Sequence, residues 1–310
     1  MMDIICAGEM LIDFTPGKQP DTYTANPGGA PANVAVSTAR NGLNTAFLGV
    51  LGNDDFGKKL RQVLLDESIT MLCPDLTDEA VTTLAFVTLY EGGERSFTFA
   101  RKPGADILLR KEDVEEEQIA RTRVLHAGSV SLSDNPCREA IGYAMKTAHE
   151  MGKLVSFDVN YRDMIWQDAP RCKKEVEKIF PFVDLLKISD EELYFVGGEE
   201  NIPEFMKTYN ITVVIETLGK EGAKYFFAGK EGKVAGRNVK AVDATGAGDA
   251  FWGGFLSKLL MLGIGKAEDI TEEMVREALV YGNTSGALCV QKPGGIPALP
   301  TRKEIEEVLR

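Results

Sequence analysis

The chain is poor in the residues that build metal centres and disulfide frameworks. Its 310 residues include two histidines and five cysteines. The cysteines stand at 6, 73, 137, 172 and 289, an odd number with no Cys-x-x-Cys pair. Neither a disulfide framework nor a zinc site is expected; reduced, mostly buried thiols are. Positive charge is also scarce, with 35 Lys and Arg against 47 Asp and Glu, a formal charge of -12. That balance argues against a nucleic-acid or anionic-membrane partner. It leaves room for an anionic nucleotide held locally by backbone amides and Mg²⁺. No apolar run reaches membrane-spanning length, because Lys258 splits the best candidate. Met1-Met2-Asp3-Ile4 lacks the basic start of a signal peptide, so the cytoplasm is the expected compartment. Two common phosphate motifs are missing as well. Phe251 stands where G-x-G-x-x-G needs its last glycine, and no Gly-Lys pair is followed by Ser or Thr. There is no internal repeat and no low-complexity segment.

What is present is an apolar fraction of 44%, ample for a packed core. Short apolar runs at 4–7, 45–50, 124–126, 154–157, 183–186 and 213–215 read as core strands. Helical patterns at 31–41, 56–66, 137–151, 171–180, 202–209, 248–262 and 272–290 follow most of them. This alternation predicts an α/β fold, a mostly parallel, doubly wound sheet covered on both faces. The length suits a single α/β domain over residues 1–310 with a small appendage. Residues 11–24 and 82–101 break the pattern and read as extended. Phe97 and Phe99 alternate with Ser96 and Thr98, which predicts a hairpin of 83–90 with 95–100, turned by Glu91-Gly92-Gly93. A small sheet inserted in an α/β domain suits a lid or a dimer surface.

The most informative stretch is Asp243-Ala244-Thr245-Gly246-Ala247-Gly248-Asp249, just before an apolar helical run. Gly246 and Gly248 open backbone conformations closed to other residues. A helix starting there aims unpaired N–H groups and the positive end of its dipole at one spot. That spot suits a phosphoryl group, and Asp249 beside it can accept a proton from an attacking hydroxyl. The competing reading is an ordinary glycine turn with a dipole-complementing Asp. A second turn, Pro27-Gly28-Gly29-Ala30-Pro31-Ala32-Asn33, also precedes a helix, with Pro31 suited to its first position. Its glycines allow close approach to a ligand, and Asn33 offers both a donor and an acceptor.

Ligands of open parallel sheets bind at the carboxyl edge, and several predicted strands end there in polar or glycine clusters. These are Gly8-Glu9 with Asp13 beyond, Asp158-Val159-Asn160-Tyr161-Arg162, Lys187-Ile188-Ser189-Asp190-Glu191-Glu192, and Thr217-Leu218-Gly219-Lys220-Glu221-Gly222. Singly each is a solvated loop. Together they suggest one crevice beside the turn at 246–249.

Residues 28–42 and 243–255 resemble the two signatures of the PfkB (ribokinase-like) carbohydrate kinases, and the intermediate clusters fall in the same order along the chain. The resemblance implies a doubly wound α/β domain with a β lid over a sugar site, ATP and Mg²⁺ as cofactors, and K⁺ as a supporting cation. It implies Asp249 as the base, with the amides of Gly246, Ala247 and Gly248 as the anion hole. Asp13, Gly28, Gly29, Asn33, Asn160 and Arg162 would hold the sugar, with Phe99 and Arg101 from the hairpin. Lys187, Thr217, Gly219, Gly222, Asn283 and Gly286 would lie at the nucleotide. Glu192 would organise Mg²⁺ through water, and Asp243 and Thr245 belong to a monovalent-cation loop. One departure is Ser189, where the family's Asn-x-x-Glu element has Asn. The motifs look most like the fructokinase branch. A 2-keto-3-deoxygluconate kinase, served by Arg101 or Arg162, a ribokinase or nucleoside kinase, and a sugar sensor without turnover remain alternatives. Pairing of two lids would give a homodimer.

Overall fold

The computed structural model describes every residue except Lys18, Pro20 and 90–94. The first part of the chain forms β1 (Ile4–Ala7), β2 (Leu11–Pro16), β3 (Tyr23–Gly28), α1 (Ala30–Arg40), β4 (Thr45–Leu48), β5 (Leu51–Gly52), α2 (Asp55–Asp66), β6 (Thr70–Met71), β7 (Leu76–Thr77), β8 (Leu84–Leu89) and β9 (Arg95–Ala100). It continues through α3 (Glu116–Ala120), β10 (Val124–Gly128), α4 (Cys137–Glu150), β11 (Leu154–Asp158), α5 (Asp163–Trp166), α6 (Ala169–Glu177), β12 (Leu185–Ser189), α7 (Ile202–Tyr209) and β13 (Val213–Thr217). The last elements are β14 (Ala223–Phe227), β15 (Lys230–Val234), α8 (Ala247–Met261), α9 (Glu272–Cys289) and α10 (Arg302–Leu309).

Among the described residues the main sheet has the order β15-β14-β13-β12-β11-β10-β1-β4-β6. It is parallel from β13 to β6, and β14 and β15 extend it as an antiparallel hairpin. Both faces are dry, for a reason visible in single strands. Ile4 and Cys6 of β1 face one core, with Val34 of α1, Leu60 of α2, Trp252 of α8 and Val275 of α9. Ile5 and Ala7 face the other, with Ile141 of α4, Val176 of α6 and Ile202 of α7. Period-two alternation with every residue apolar requires helices on both sides.

The second sheet has the order β3-β2-β8-β9, with β2 and β8 parallel and the outer pairs antiparallel. The predicted hairpin is present, Leu84 opposite Ala100 and Leu89 opposite Arg95. Its turn, Glu91-Gly92-Gly93, lies outside the described residues. The small sheet reaches further than 11–24, because β3 continues to Gly28. The first glycine turn is therefore the junction between the small sheet and α1.

Helix α8 is wrapped by protein from Asp249 to Ser257, and two glycines set how closely. A Cβ on Gly253 would lie 2.5 Å from the Ser37 Cβ of α1, and one on Gly254 would lie 2.8 Å from the Ser285 Cβ of α9. The Gly253–Ser37 contact fixes the register of α1 against α8. One turn towards the N-terminus of each helix stand Asn33 and Asp249. Residues four apart share a helix face, so packing at 37 and 253 carries Asn33 and Asp249 to one place.

Candidate active site

At the N-terminus of α8, Gly246 adopts φ 75°, a left-handed conformation that glycine reaches without strain. Asp249 follows in the first turn, 8% exposed, and its Oδ2 accepts a 2.7 Å hydrogen bond from Asn33 Nδ2. Hydrogen bonds to a charged partner stabilise by about 1.5–3 kcal/mol. Burial raises the Asp249 carboxyl above its ordinary range and neighbouring Asp158 adds to this, while Asn33, Lys187 and Arg162 pull it back. The Asn33 Oδ1 is buried without a partner. Such an atom is costly unless something arrives to bond it.

Asp249 and Asn33 line a cavity of about 380 Å³ together with Asp13, Gly29, Phe99, Asn160, Arg162, Thr245 and Gly246. These nine expected residues, from β2, the start of α1, β9, the β11 exit and the α8 turn, meet in one space. Asp13 rises to about 7, first through burial and then through the charge of Asp249, with Arg162 opposing. Gly28 does not line the cavity. It lies behind Asp13, whose Oδ2 would be 2.2 Å from a Cβ there. Asn160 holds φ 39°, an uncommon conformation that Asn tolerates better than most residues.

Arg101, expected at the sugar, is a correction. Its guanidinium pairs with Asp106 at 2.7 Å and its Nη1 donates to Ser133 Oγ at 2.7 Å, with its side chain 6% exposed. It braces the end of β9 and does not line the cavity. Ala247 is a second correction. Its N–H donates to the Ala244 carbonyl at 3.2 Å, closing the loop, so in this conformation it is not offered to an anion.

Glu9, noted in the cluster after the first strand but given no role, lines the same cavity. It accepts Ser131 Oγ–H at 2.5 Å and the Ala30 N–H at 3.3 Å, and burial pushes it up to about 7. Its signal was the position alone, one residue beyond the glycine that follows β1. Tyr161, inside the cluster noted after β11, and Asp163, one residue beyond it, also line the cavity.

On the other side of the α8 turn, Lys187 Nζ bonds Asp158 Oδ2 at 2.7 Å. It would lie 3.6 Å from a Cβ on Gly248. Glu192 accepts the Tyr161 N–H at 2.6 Å on one oxygen and the Ser189 N–H at 2.8 Å on the other. Each oxygen keeps a lone pair, so the carboxylate can still accept from water or a hydrated cation. Among the described residues no group of three or more His, Cys, Asp or Glu could hold a metal. Ser189 serves here through its backbone and as the cap of the turn that carries Glu192.

The more distant nucleotide candidates divide. Gly219 has φ 52° and open space where a Cβ would stand, and Thr217 Oγ1 bonds the Ile188 carbonyl at 3.3 Å. Gly222, Asn283 and Gly286 are occupied structurally. A Cβ on Gly222 would strike the Val234 carbonyl at 2.2 Å, and one on Gly286 would press the Ala247 carbonyl at 3.3 Å. Asn283 Nδ2 donates to the carbonyls of Val234 and Ala235 at 3.1 and 3.2 Å, fixing the exit of β15. Asp243 is likewise a loop organiser, accepting Thr245 N–H and Oγ1–H at 2.9 and 2.7 Å and Gly294 N–H at 3.0 Å.

A cleft lined by a buried carboxylate, beside a helix N-terminus and a lysine, suits an enzyme that moves a phosphoryl group onto a small acceptor. Residues 1–302 match the pfkB family of carbohydrate kinases, and the chain belongs to that family. It is an ATP-dependent sugar kinase. It is 40% identical over 321 residues to the probable fructokinase-6, chloroplastic, of Arabidopsis thaliana, covering 99% of this chain and 82% of that one. Among solved structures it is similar to fructokinase with bound ATP from Xylella fastidiosa, at TM-score 0.93 and 31% identity, covering 99% and 98% of the two chains. It is also similar to fructokinase from Vibrio cholerae O395 with fructose, ADP and calcium ion bound, at TM-score 0.89 and 32% identity, covering 100% and 99%. A double mutant of the Vibrio enzyme with fructose, ADP and potassium ion bound gives TM-score 0.88 and 33% identity over the same shares.

Proposed function

We propose that the protein transfers the γ-phosphoryl group of ATP to a primary hydroxyl of D-fructose, with residues 1–310 acting as one lidded domain. The observation that carries this is the Asn33–Asp249 bond at 2.7 Å inside a cavity also lined by Asp13 and Gly246. The fructokinase relatives support the choice of sugar. So does charge. Glu9, Asp13, Asp163 and Asp249 face the cavity against Arg162, while Arg101 is neutralised by Asp106 outside it. A neutral sugar suits this lining better than the carboxylate of 2-keto-3-deoxygluconate.

Asp13, Asn33 and Arg162 hold and orient the sugar hydroxyls, and Phe99 from β9 covers them. Asp249 takes the proton of the attacking hydroxyl. Proton transfer late in the reaction asks little basicity of a carboxylate, so positioning and charge dominate. The Gly246 and Gly248 amides and Lys187 meet the charge on the transferring group. Glu192 would hold Mg²⁺ through water, where the ion neutralises nucleotide phosphate charge. The loop of Asp243 and Thr245 would accompany K⁺. Tyr23, 52% exposed on the edge strand β3 beside Phe14 and Phe86, supports a homodimer joined through the small sheets. Five unpaired thiols support a reducing, cytoplasmic setting, and no helix of the described residues is long and apolar enough to cross a membrane.

A coupled ADP-release assay with fructose, 2-keto-3-deoxygluconate, ribose and nucleosides tests the reading. Fructose should give the highest kcat/KM, and turnover led by another acceptor, or none, refutes it.

A further inference from the structure

We propose that Asp158 is a positioning residue for phosphoryl transfer, holding the Lys187 ammonium at the mouth of the amide pocket that opens α8. The inference rests on the sugar-kinase reading and deepens it. Asp158 ends β11, in register with Gly128 of β10 and Lys187 of β12. It is 2% exposed and does not line the sugar cavity. Its Oδ2 accepts Lys187 Nζ at 2.7 Å, and its Oδ1 is buried with no partner. A buried ion pair is weak evidence of added stability, because desolvating both charges offsets their attraction. A buried carboxylate with one oxygen unsatisfied is weaker evidence still. What it does accomplish is directional. Lys187 Nζ would be 3.6 Å from a Cβ on Gly248, beside the N–H groups where the phosphoryl group passes.

The surroundings single out Asp158 as the partner that fixes this lysine. Glu192, in the turn after β12, gives its oxygens to the Ser189 and Tyr161 amides. Asp249 of α8 bonds Asn33. His126 of β10 also faces the pair, and burial draws it down to about 4, so it stays neutral near pH 7. Burial alone would push Lys187 towards the neutral amine, but Asp158, then Glu192 and Asp249, more than reverse this and raise it. Removing the Asp158 charge leaves a lysine that is aimless and easier to deprotonate.

Steady-state kinetics with ATP and fructose test this with Asp158→Asn, Lys187→Met, Lys187→Arg and the double variants. Asp158→Asn should lower kcat on the order of 10- to 100-fold, comparable to losing one positioned electrostatic donor, with little change in fructose KM. In the Lys187→Met background it should cost almost nothing more, because the two residues act as a unit. The kcat of Asp158→Asn should also fall towards alkaline pH at lower pH than in the wild type, as a lysine that has lost its carboxylate partner gives up its proton more readily. Asp158→Asn/Lys187→Arg should remove that alkaline fall, since a guanidinium stays charged. Additive losses in the double variant, or a loss that is the same at every pH, overturn the proposal. If Asp158→Asn does not fold by thermal melt, Asp158→Glu carries the same cycle, and additivity there overturns it equally. Wild-type turnover of fructose in the same assay separates the two readings. Without it the sugar-kinase reading fails, and with it an additive double variant removes Asp158 alone.

Discussion

The two glycine turns that open α1 and α8 look alike in sequence and are built for opposite reasons. In the first, the glycines are forced by the protein itself. A Cβ on Gly28 would meet Asp13 Oδ2 at 2.2 Å, and Gly29, at φ 107°, would meet the Glu9 carbonyl at 2.5 Å and the Met10 Cα at 2.9 Å. In the second, only Gly246 is demanded by conformation, at φ 75°. Gly248 has helical neighbours, and its nearest contact would be Lys187 Nζ at 3.6 Å, an ordinary van der Waals distance. The first turn's glycines are packed from behind by protein, although Gly29 also borders the cavity. The second keeps space that the folded chain does not need, beside a lysine, two backbone amides and a carboxylate. Gly248 has no steric reason in the fold, and its place beside Lys187 and Asp249 agrees with a ligand there.

The sharpest test of this contrast is the carboxylate that distinguishes the second turn. Asp249→Asn should leave the Asn33 contact and both substrate affinities nearly intact while lowering kcat by about 10²–10⁴. Stopped-flow turnover beside equilibrium ATP and fructose binding checks it, and normal turnover in a folded variant removes Asp249 as base. Next in size is Gly29→Ala. Unfavourable φ costs of order 1–3 kcal/mol, which in a chain of this size lowers the melting temperature by roughly 2–5 °C, and the backbone clash adds to it. A melt unchanged from wild type would mean that the first turn is as roomy as the second.

The sequence exposed the two turns because each couples glycines to the start of a helical pattern, and it exposed the core strands because they are continuously apolar. It concealed what depends on partners distant in the chain. The Ser37–Gly253 contact that sets Asn33 against Asp249 spans most of the chain, and neither residue is informative alone. Arg101 was placed at the sugar by the family resemblance, and its partner Asp106, five residues on, could not be read from the sequence. The hairpin of β14 and β15 went unread because Lys230-Glu231-Gly232-Lys233 is polar throughout, as an exposed edge allows. Its Gly232 is explained only by Tyr225, whose ring atoms would lie about 2.6 Å from a Cβ there. Gly222, Asn283 and Gly286 were placed at the nucleotide, yet their contacts hold backbone and helices together.

Smaller effects probe the second turn on its own terms. Gly248→Ala should leave the melting temperature unchanged or slightly higher, since alanine is the better helix former by up to about 1 kcal/mol. It should nevertheless lower kcat about tenfold, because the methyl enters the space between the amides and Lys187. Loss of stability without loss of kcat would reverse the assignment of the two turns.

The smallest expected effect is a shift in pH dependence. Asn33 donates to the Asp249 carboxylate and so favours its charged form. A base must be ionised to accept the proton, so activity fades as pH falls through the Asp249 pKa. Asn33→Ala removes the donor, the pKa rises further above the ordinary carboxylate range, and the acid limb of kcat moves to higher pH. The displacement is towards higher pH, with kcat on the alkaline side of the limb nearly recovered. The limb has to be read at saturating fructose, because Asn33 also lines the sugar cavity and its loss raises KM. An acid limb that stays in place would mean that the Asn33 bond leaves the proton affinity of Asp249 unchanged, and that packing of α1 on α8 alone holds the base.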